Sequence, residues 1–490
     1  MARGKGKASR AGRAGSPDGG SRQAARVRAA FVSRPVLLLA FAFAVMGDPV
    51  SSVAYAMEAG LRSLGGHLAL LLPTMLVVLA VIVLVSVNYH QLYAMFPEGG
   101  GDAAASAVAF SEGLAFLPLA ALVVDYALTI AISAAAGASA IIAYLPRLAP
   151  ARLPLAVVLL VVVAGLTLFG HGGRAVFAVM TVSFAVIGSV VIVLGARAAP
   201  VHHVVAGAAP ASSHAAPLAV LLAFPVGMAL ATGVEAPSSA IAQLGQLDDA
   251  GRVRFGRTTL WLMVAIVVWL TVGLTVVGVR LGVGLPPPSS TWMAQVAQAA
   301  VGRGALFAAF QLASAVLLLA AASSSFQAGP GLLKALARGG GGVGILPAVL
   351  SRRNRHHTPY WGVAAFLAAA AILVVAAGGQ EQRLVLFYAV AVFIAFLCGL
   401  ASMTRLFLRA RRRWLAGVSV SGGLAVSVTL AADAARGYPI VSFAAACLIA
   451  AIFYSMWIRA GRPRGVAQAE QIAEAEDDPK IARNEQTSGP

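Results

Sequence analysis

Apolar runs of about twenty residues recur along almost the whole chain, and a helix of that length spans a hydrocarbon core roughly 30 Å thick. Twelve runs can be marked off, at 35–61, 67–92, 111–143, 153–169, 175–196, 216–243, 258–280, 303–334, 359–377, 383–408, 414–432 and 438–458. Of 490 residues, 59% are hydrophobic and only 11% charged, whereas soluble domains carry about a quarter charged residues. Short segments of alternating polarity, the pattern of a transmembrane β-barrel, do not occur. The chain reads as an all-α integral membrane protein.

A formal charge of +18 suggests nucleic acid until the charges are placed. With the N-terminus inside, the cytoplasmic segments hold 28 of the 36 Lys and Arg residues. The main groups are the N-terminal tail to Arg34, Arg252/Arg254/Arg257, Lys334 to Arg355, and Arg405 to Arg413. That is the positive-inside pattern, so both termini are expected in the cytoplasm, with no nucleic-acid role and the bilayer as the partner of the basic tail. No cleaved signal peptide is read at the start. The acidic tail after 460 reads as disordered. Two cysteines, Cys398 and Cys447, both within runs, leave no disulfide framework or thiolate metal site. His202, His203 and His214 in the loop 198–215 lack acidic or thiol partners and read as solvated.

The first and sixth runs share a defect. One contains "MGDPVSSVAYA", the other "ATGVEAPSSAIAQ", and each sets a glycine, an acid, a proline and paired serines inside apolar sequence. Proline removes a backbone donor and disfavours helix at the residue before it. Freed carbonyls at membrane depth are tolerated only where they line a cavity. Matching interrupted helices in two halves are the sequence sign of a transporter built from inverted repeats, with its site at the breaks. The division expected is a basic tail at 1–34, a five-helix repeat at 35–197, a loop at 198–215, a second five-helix repeat at 216–410, two additional helices at 411–460, and a short tail at 461–490.

Three acids lie well inside runs: Asp48, Asp125 and Glu235. Each costs about 2.5–3.5 kcal/mol at a helix centre on insertion scales, so a shared functional site is the default reading. Asp125, Thr129 and Ser133 fall on one helical stripe. Thr232 precedes Glu235 by one turn, and Tyr55 follows Asp48 by two. Glu58, one turn from Arg62, reads as an interfacial acid. Tyr388 is a phenol in an apolar stretch. The serines of "AASSSF" (Ser323, Ser324, Ser325) read as small packing residues. No P-loop, HExxH, GxSxG or CxxC motif occurs, and "GGGG" at 339–342 reads as a flexible loop. The chain is expected to be no enzyme and to need no cofactor.

The stretches "DPVSSVAY", "FPEGGGDA" (Phe96 to Ala103), "VDYALTIAIS", "TGVEA" and "LFYAVAVF" occur in register between about residues 35 and 410. In this the chain resembles the amino acid–polyamine–organocation superfamily, and within it the KUP/KimA-type potassium uptake permeases. The resemblance implies a LeuT-like core of five plus five helices, broken in helices 1 and 6, with two extra helices, and uptake of K⁺ with H⁺ across the plasma membrane. Its ion-coordinating positions fall on Asp48, Tyr55, Asp125, Thr129, Ser133, Thr232, Glu235 and Tyr388. The potassium ligands among them would be Asp48, Asp125, Thr129 and Glu235, and the proton carrier Asp48 or Glu235 ahead of Asp125. Such relatives also imply a homodimer and a large cytoplasmic C-terminal domain, for which the roughly thirty residues after the last run offer no counterpart. The alternative on the same fold is a proton-coupled amino acid or polyamine permease. Asp48 stands where amino-acid permeases keep a glycine-rich break for a carboxylate, and the fifth run has no lysine, two departures that favour a cation.

Overall fold

Each long helix follows an apolar run of the sequence. The computed structural model describes residues 34–169, 174–199, 215–245, 247–338, 344–434 and 440–469. The three loop histidines, the tetraglycine and residues 1–33 and 470–490 lie outside these residues; the start of the tail expected to be disordered is packed, with Val466 and Ala467 buried and the Gly465 and Ala467 amides donating to Glu112. Among the described residues there is no strand. In chain order the helices are α1 (Arg34–Val45), α2 (Gly47–Ser63), α3 (Leu71–Met95), α4 (Gly101–Ala109), α5 (Phe116–Tyr144), α6 (Arg152–Leu168), α7 (Arg174–Gly195), α8 (Ala216–Gly227), α9 (Ala236–Ala240), α10 (Asp249–Arg280), α11 (Trp292–Val301), α12 (Ala305–Arg338), α13 (Tyr360–Ala376), α14 (Glu381–Arg409), α15 (Arg413–Ala434) and α16 (Ile440–Arg459). Eleven of the twelve expected spans are long and apolar enough to cross a bilayer. The ninth, α13, is apolar but has 17 residues, about 25 Å of helix.

The hub is α5, with 83% of its apolar window buried, against 17% for the peripheral α16. Its sequence explains the position. The run "AISAAAGASA" presents small residues on every side, so neighbours approach closely. At Gly137 an added Cβ would stand 3.3 Å from Leu319 of α12, and Gln311 Nε2 of α12 donates to the Ala140 carbonyl at 3.1 Å. The helices α12, α14, α16 and α6 all pack on α5.

The two defects do not take the same form. In the sixth span α8 tightens into a 3₁₀ turn at Met228–Ala231, Thr232 is extended (φ −52°, ψ 132°), and the chain turns through Gly233 at φ +71° before α9 resumes with Pro237 in its first turn. In the first span the interruption is a bend at Met46, two residues before Asp48. Met46 keeps a helical backbone, its amide bonds Ala42 at 3.0 Å, and its carbonyl accepts from Val50 at 3.0 Å. The expectation of an unwound segment at Asp48–Pro49 is thereby corrected. Pro49 is the third residue of α2, where a missing amide costs little because first-turn amides have no helical partner.

Arginines 252, 254 and 257 open α10, Lys334 and Arg338 close α12, and Arg405 and Arg409 close α14, which makes one end of the bundle basic. At the far end the start of α14 is tied down. Glu381 Oε2 accepts from Ser139 Oγ of α5 at 2.6 Å and from Arg152 Nη1 of α6 at 3.4 Å, and Arg152 Nη1 also reaches Ser139 Oγ at 2.5 Å. Arg152 Nη2 donates to the Pro288 carbonyl in the loop before α11, and Gln382 Nε2 donates to the Tyr55 carbonyl of α2 at 3.4 Å. Beneath this tie lies a cavity of about 10 Å³ lined by Ala54, Tyr55, Thr291, Gln311, Ser314 and Glu381, room for roughly one water. Glu58, expected at the interface, is 2% exposed; it pairs with Arg62 at 2.8 Å and accepts from the Trp292 amide at 2.8 Å.

Two outcomes follow from this packing. Gly233 meets Pro49 so closely that an added Cβ would stand 2.9 Å from Pro49 Cδ, on a backbone that disfavours any side chain. Gly233→Ala should lower the melting midpoint of the purified protein, by about 1–3 kcal/mol of stability, whereas Gly165→Ala in α6, which meets nothing within 4 Å, should hold or raise it. Arg152→Gln should loosen the start of α14. In a background with Cys398 and Cys447 changed to Ala, a cysteine at position 54 should then react with a charged thiol reagent in detergent several times faster than with Arg152 in place.

Candidate functional site

The interrupted spans meet face to face. An added Cβ on Gly233 would lie 3.0 Å from Asp48 Oδ2, so the bare glycine backbone of one break abuts the carboxylate of the other. Ser52 Oγ lies 2.6 Å from the Pro49 carbonyl and 3.2 Å from the Leu230 carbonyl, which joins α2 to the 3₁₀ turn before Thr232. Behind the bend, Thr181 of α7 approaches Gly47 to within 3.2 Å of where a Cβ would stand.

Several hydroxyls here have their protons committed. Ser51 donates to the Asp48 carbonyl at 2.7 Å, Thr232 to Ala229 at 2.7 Å, and Ser238 to Glu235 at 2.7 Å. A hydroxyl whose hydrogen is held by a carbonyl presents lone pairs to everything else. The Tyr55 and Thr232 side chains meet in a hydrogen bond. Thr129 and Ser133 are each 1% exposed on the stripe below Asp125. Back-bonding to their own helix would be the ordinary fate of such hydroxyls, yet Ser133 Oγ is buried with no partner.

The three expected acids converge. Asp125 is 3% exposed and Glu235 9%, and Asp48, half-buried, has an Oδ1 atom that is buried without a partner. Asp48 lies in the field of Asp125, and Glu235 in the fields of both. Of the eight expected positions, Asp48, Tyr55, Thr232 and Glu235 belong to the two interrupted spans, and Asp125, Thr129 and Ser133 lie on α5, which touches α2. The eighth, Tyr388, is on α14, and its side chain falls outside the described residues.

Sequence reasoning missed a fourth acid. Asp102, read as a loop residue, is 6% exposed in the first turn of α4. Gly99, Gly100 and Gly101 take φ of 91°, 90° and 49°, a reversal open to glycine, and turn Asp102 inward beneath Gly399 of α14. Tyr89 Oη donates to Asp102 Oδ2 at 2.7 Å. The triple glycine was the available signal. Among the described residues no group of three or more His, Cys, Asp and Glu side chains is arranged to hold a metal ion, so oxygen for an ion would have to come from hydroxyls and carbonyls as well. A larger groove, lined by Phe43, Val182, Val186, Val190 and Ile266 among others, is apolar and lies away from these groups.

What the arrangement can do is hold a positive ion. Carboxylates, hydroxyl lone pairs and freed carbonyls supply oxygen, in a place where water is scarce and charge interactions are strong.

The potassium transporter KimA of Bacillus subtilis is 30% identical over 303 residues, covering 59% of this chain and 49% of that protein. The chain thus spans about half the length of the curated relative it matches. Two mutant structures of the Eremococcus coleocola manganese transporter share 16% identity with it over 86% of this chain and 94% of theirs, at a TM-score of 0.45. That transporter bound to an aromatic bis-isothiourea compound gives 0.44 at 16% identity, with the same coverage. The amino acid permease family profile matches residues 37–469, nearly all of the helical bundle. The chain is a member of the amino acid permease family, within the amino acid–polyamine–organocation superfamily.

Proposed function

We propose that this protein carries potassium into the cell together with protons. The observation that carries the reading is the contact of the two interrupted spans at Gly233 and Asp48, where Asp48 Oδ1 and Glu235 Oε2 are buried without hydrogen-bond partners. An isolated buried carboxylate opposes folding in the bilayer by several kcal/mol. A bound cation relieves that cost, and so does a proton. A site that needs either one is suited to exchanging them. Asp48, Asp125, Thr129 and Glu235 would hold the ion, with Tyr55, Ser133, Thr232 and Tyr388 completing the oxygen set. Asp48 or Glu235 would carry the proton, ahead of Asp125.

The relative named a potassium transporter supports the substrate. The basic end is assigned to the cytoplasm by the positive-inside pattern, which puts the Arg152–Glu381 tie outside and both termini inside a plasma membrane. Ser139, Arg152 and Gln382 hold that end together, and on this reading the two five-helix repeats rock about the break.

The family description favours one other reading, an amino acid or polyamine as cargo. Here an ammonium group would take the place of potassium. Asp48 beside Gly233 repels a substrate carboxylate, and α7 offers Thr181 rather than a lysine opposite Gly47, so a polyamine fits this reading better than a neutral amino acid.

Uptake of radioactive rubidium by cells stripped of their own potassium importers decides between them. The wild type should take it up saturably and faster with an inward proton gradient. Asp48→Asn and Asp125→Asn, at equal membrane levels, should each lower uptake at least about tenfold, the loss of 1.4 kcal/mol or more of ion binding. A well-expressed wild type that takes up no rubidium but does take up labelled putrescine would reject potassium and keep the site.

A further inference from the structure

The seam between α3 and α10 at the basic end carries a titratable group that the central site does not use. Trp261 Nε1 of α10 donates to His90 Nδ1 of α3 at 3.1 Å, with the ring centroids 6.3 Å apart. One turn earlier on α10, Arg257 Nε donates to the His90 carbonyl at 2.9 Å. His90 is half-buried and Trp261 is 37% exposed, so the pair lies at the surface of the bundle rather than in its core.

An indole N–H only donates, so the ring nitrogen it meets must present a lone pair. His90 is therefore a neutral imidazole here. Imidazole ordinarily titrates near pH ~6.5, within the range that a cell can reach. Once protonated it donates from both nitrogens and accepts at neither. Two hydrogens would then face each other across the seam, and a new positive charge would stand beside the Arg257 guanidinium. The acids of neighbouring elements are placed elsewhere. Among the described residues His90 has no ion pair, and Asp249 at the start of α10 faces Arg252 at 3.9 Å. Asp102 takes the Tyr89 hydroxyl, and Asp48 lies at the break. Glu58 of α2, Glu381 of α14 and Asp433 of α15 stand at the far end, with Arg405, Arg409 and Arg413 at this one. Neither α8 nor α9 has an ionisable side chain.

The seam also lies against the contact that joins α10 to the sixth span. At Gly256, next to Arg257, an added Cβ would come 3.0 Å from Tyr93 Cδ1 of α3 and 3.1 Å from Ile241 Cγ2, just after α9. We propose that His90 is a proton sensor of the basic-end face: its protonation releases Trp261, loosens α3 from α10 and slows transport. This deepens the proton-coupled reading and rests on it for its purpose. Each cycle would leave a proton at this face, and His90 would hold uptake back as protons gather there.

Indole N–H resonances of purified full-length protein labelled with ¹⁵N-tryptophan test the switch apart from transport. The Trp261 signal, assigned by its loss in Trp261→Phe, should move in a single titration between about pH 7.5 and about 5.5. In His90→Asn it should stay fixed, because the amide oxygen accepts in place of Nδ1 and does not titrate. In sided vesicles, rubidium uptake is then read as the ratio of wild type to His90→Asn, since both feel the same gradient. That ratio should fall about threefold as the basic-end face is acidified, the loss of one neutral hydrogen bond. Trp261→Phe, which lacks the donor, should show no such fall against His90→Asn. A Trp261 signal that does not titrate, or that titrates equally in His90→Asn, would overturn the proposal. So would a signal that moves while the uptake ratio stays constant. Uptake by none of the three proteins would sink the potassium reading instead, and the indole titration alone would then decide the sensor.

Discussion

Four carboxylates inside one lipid-spanning bundle make a constraint that the remaining structure has to answer. Asp48, Asp125, Glu235 and Asp102 come from four separate elements, and Glu235 lies in the field of the other three. In hydrocarbon each would be expelled or neutralised. The fold surrounds them with its most buried helix, α5, and with hydroxyls whose protons are turned onto backbone carbonyls. The lone pairs left over add to the negative character of the space rather than relieving it. On the proposed reading a cation completes that core, which would make the site and the stability of the protein two aspects of one charge balance.

The contrast with the far end clarifies this. Glu58 and Glu381 are as buried as the central acids, at 2% and 5% exposure, but each has an arginine, Arg62 and Arg152, and a further donor, the Trp292 amide and the Ser139 hydroxyl. Those pairs are satisfied within the protein and hold helices together. Removing one partner from a buried pair strands the other charge, so these residues tie α2 to α11 and α14 to α5 and α6. Acids with arginines close the bundle, and on the proposed reading Asp48 and Glu235, whose Oδ1 and Oε2 are buried without partners, take an ion.

Much of this was legible in the sequence, and the exceptions have local causes. Apolar run length predicted the helices because the bilayer admits few other elements. The break in the sixth span was visible because Gly233 and Pro237 bracket it. The break in the first was misplaced because Pro49 looks disruptive in isolation and is harmless in the first turn of a helix. Glu58 was half legible: Arg62 is one turn away, but the Trp292 amide lies 234 positions along the chain and no pattern announces it. Asp102 reads as a loop acid, and only the folded course of the three preceding glycines brings it under Gly399. Distance along the chain, rather than subtlety of chemistry, set the limit.

Ser52 offers a last consequence. Its hydroxyl has two carbonyls in reach, Pro49 on its own helix and Leu230 in the 3₁₀ turn of the opposing span. A donor with a single acceptor resists sliding, since moving away leaves a buried proton unmatched at about 1–3 kcal/mol. A donor with two can hand its proton across as the helices shift by a fraction of an ångström. The contact between the two broken spans therefore behaves as a bearing rather than a bolt, giving way sideways while keeping the halves in register.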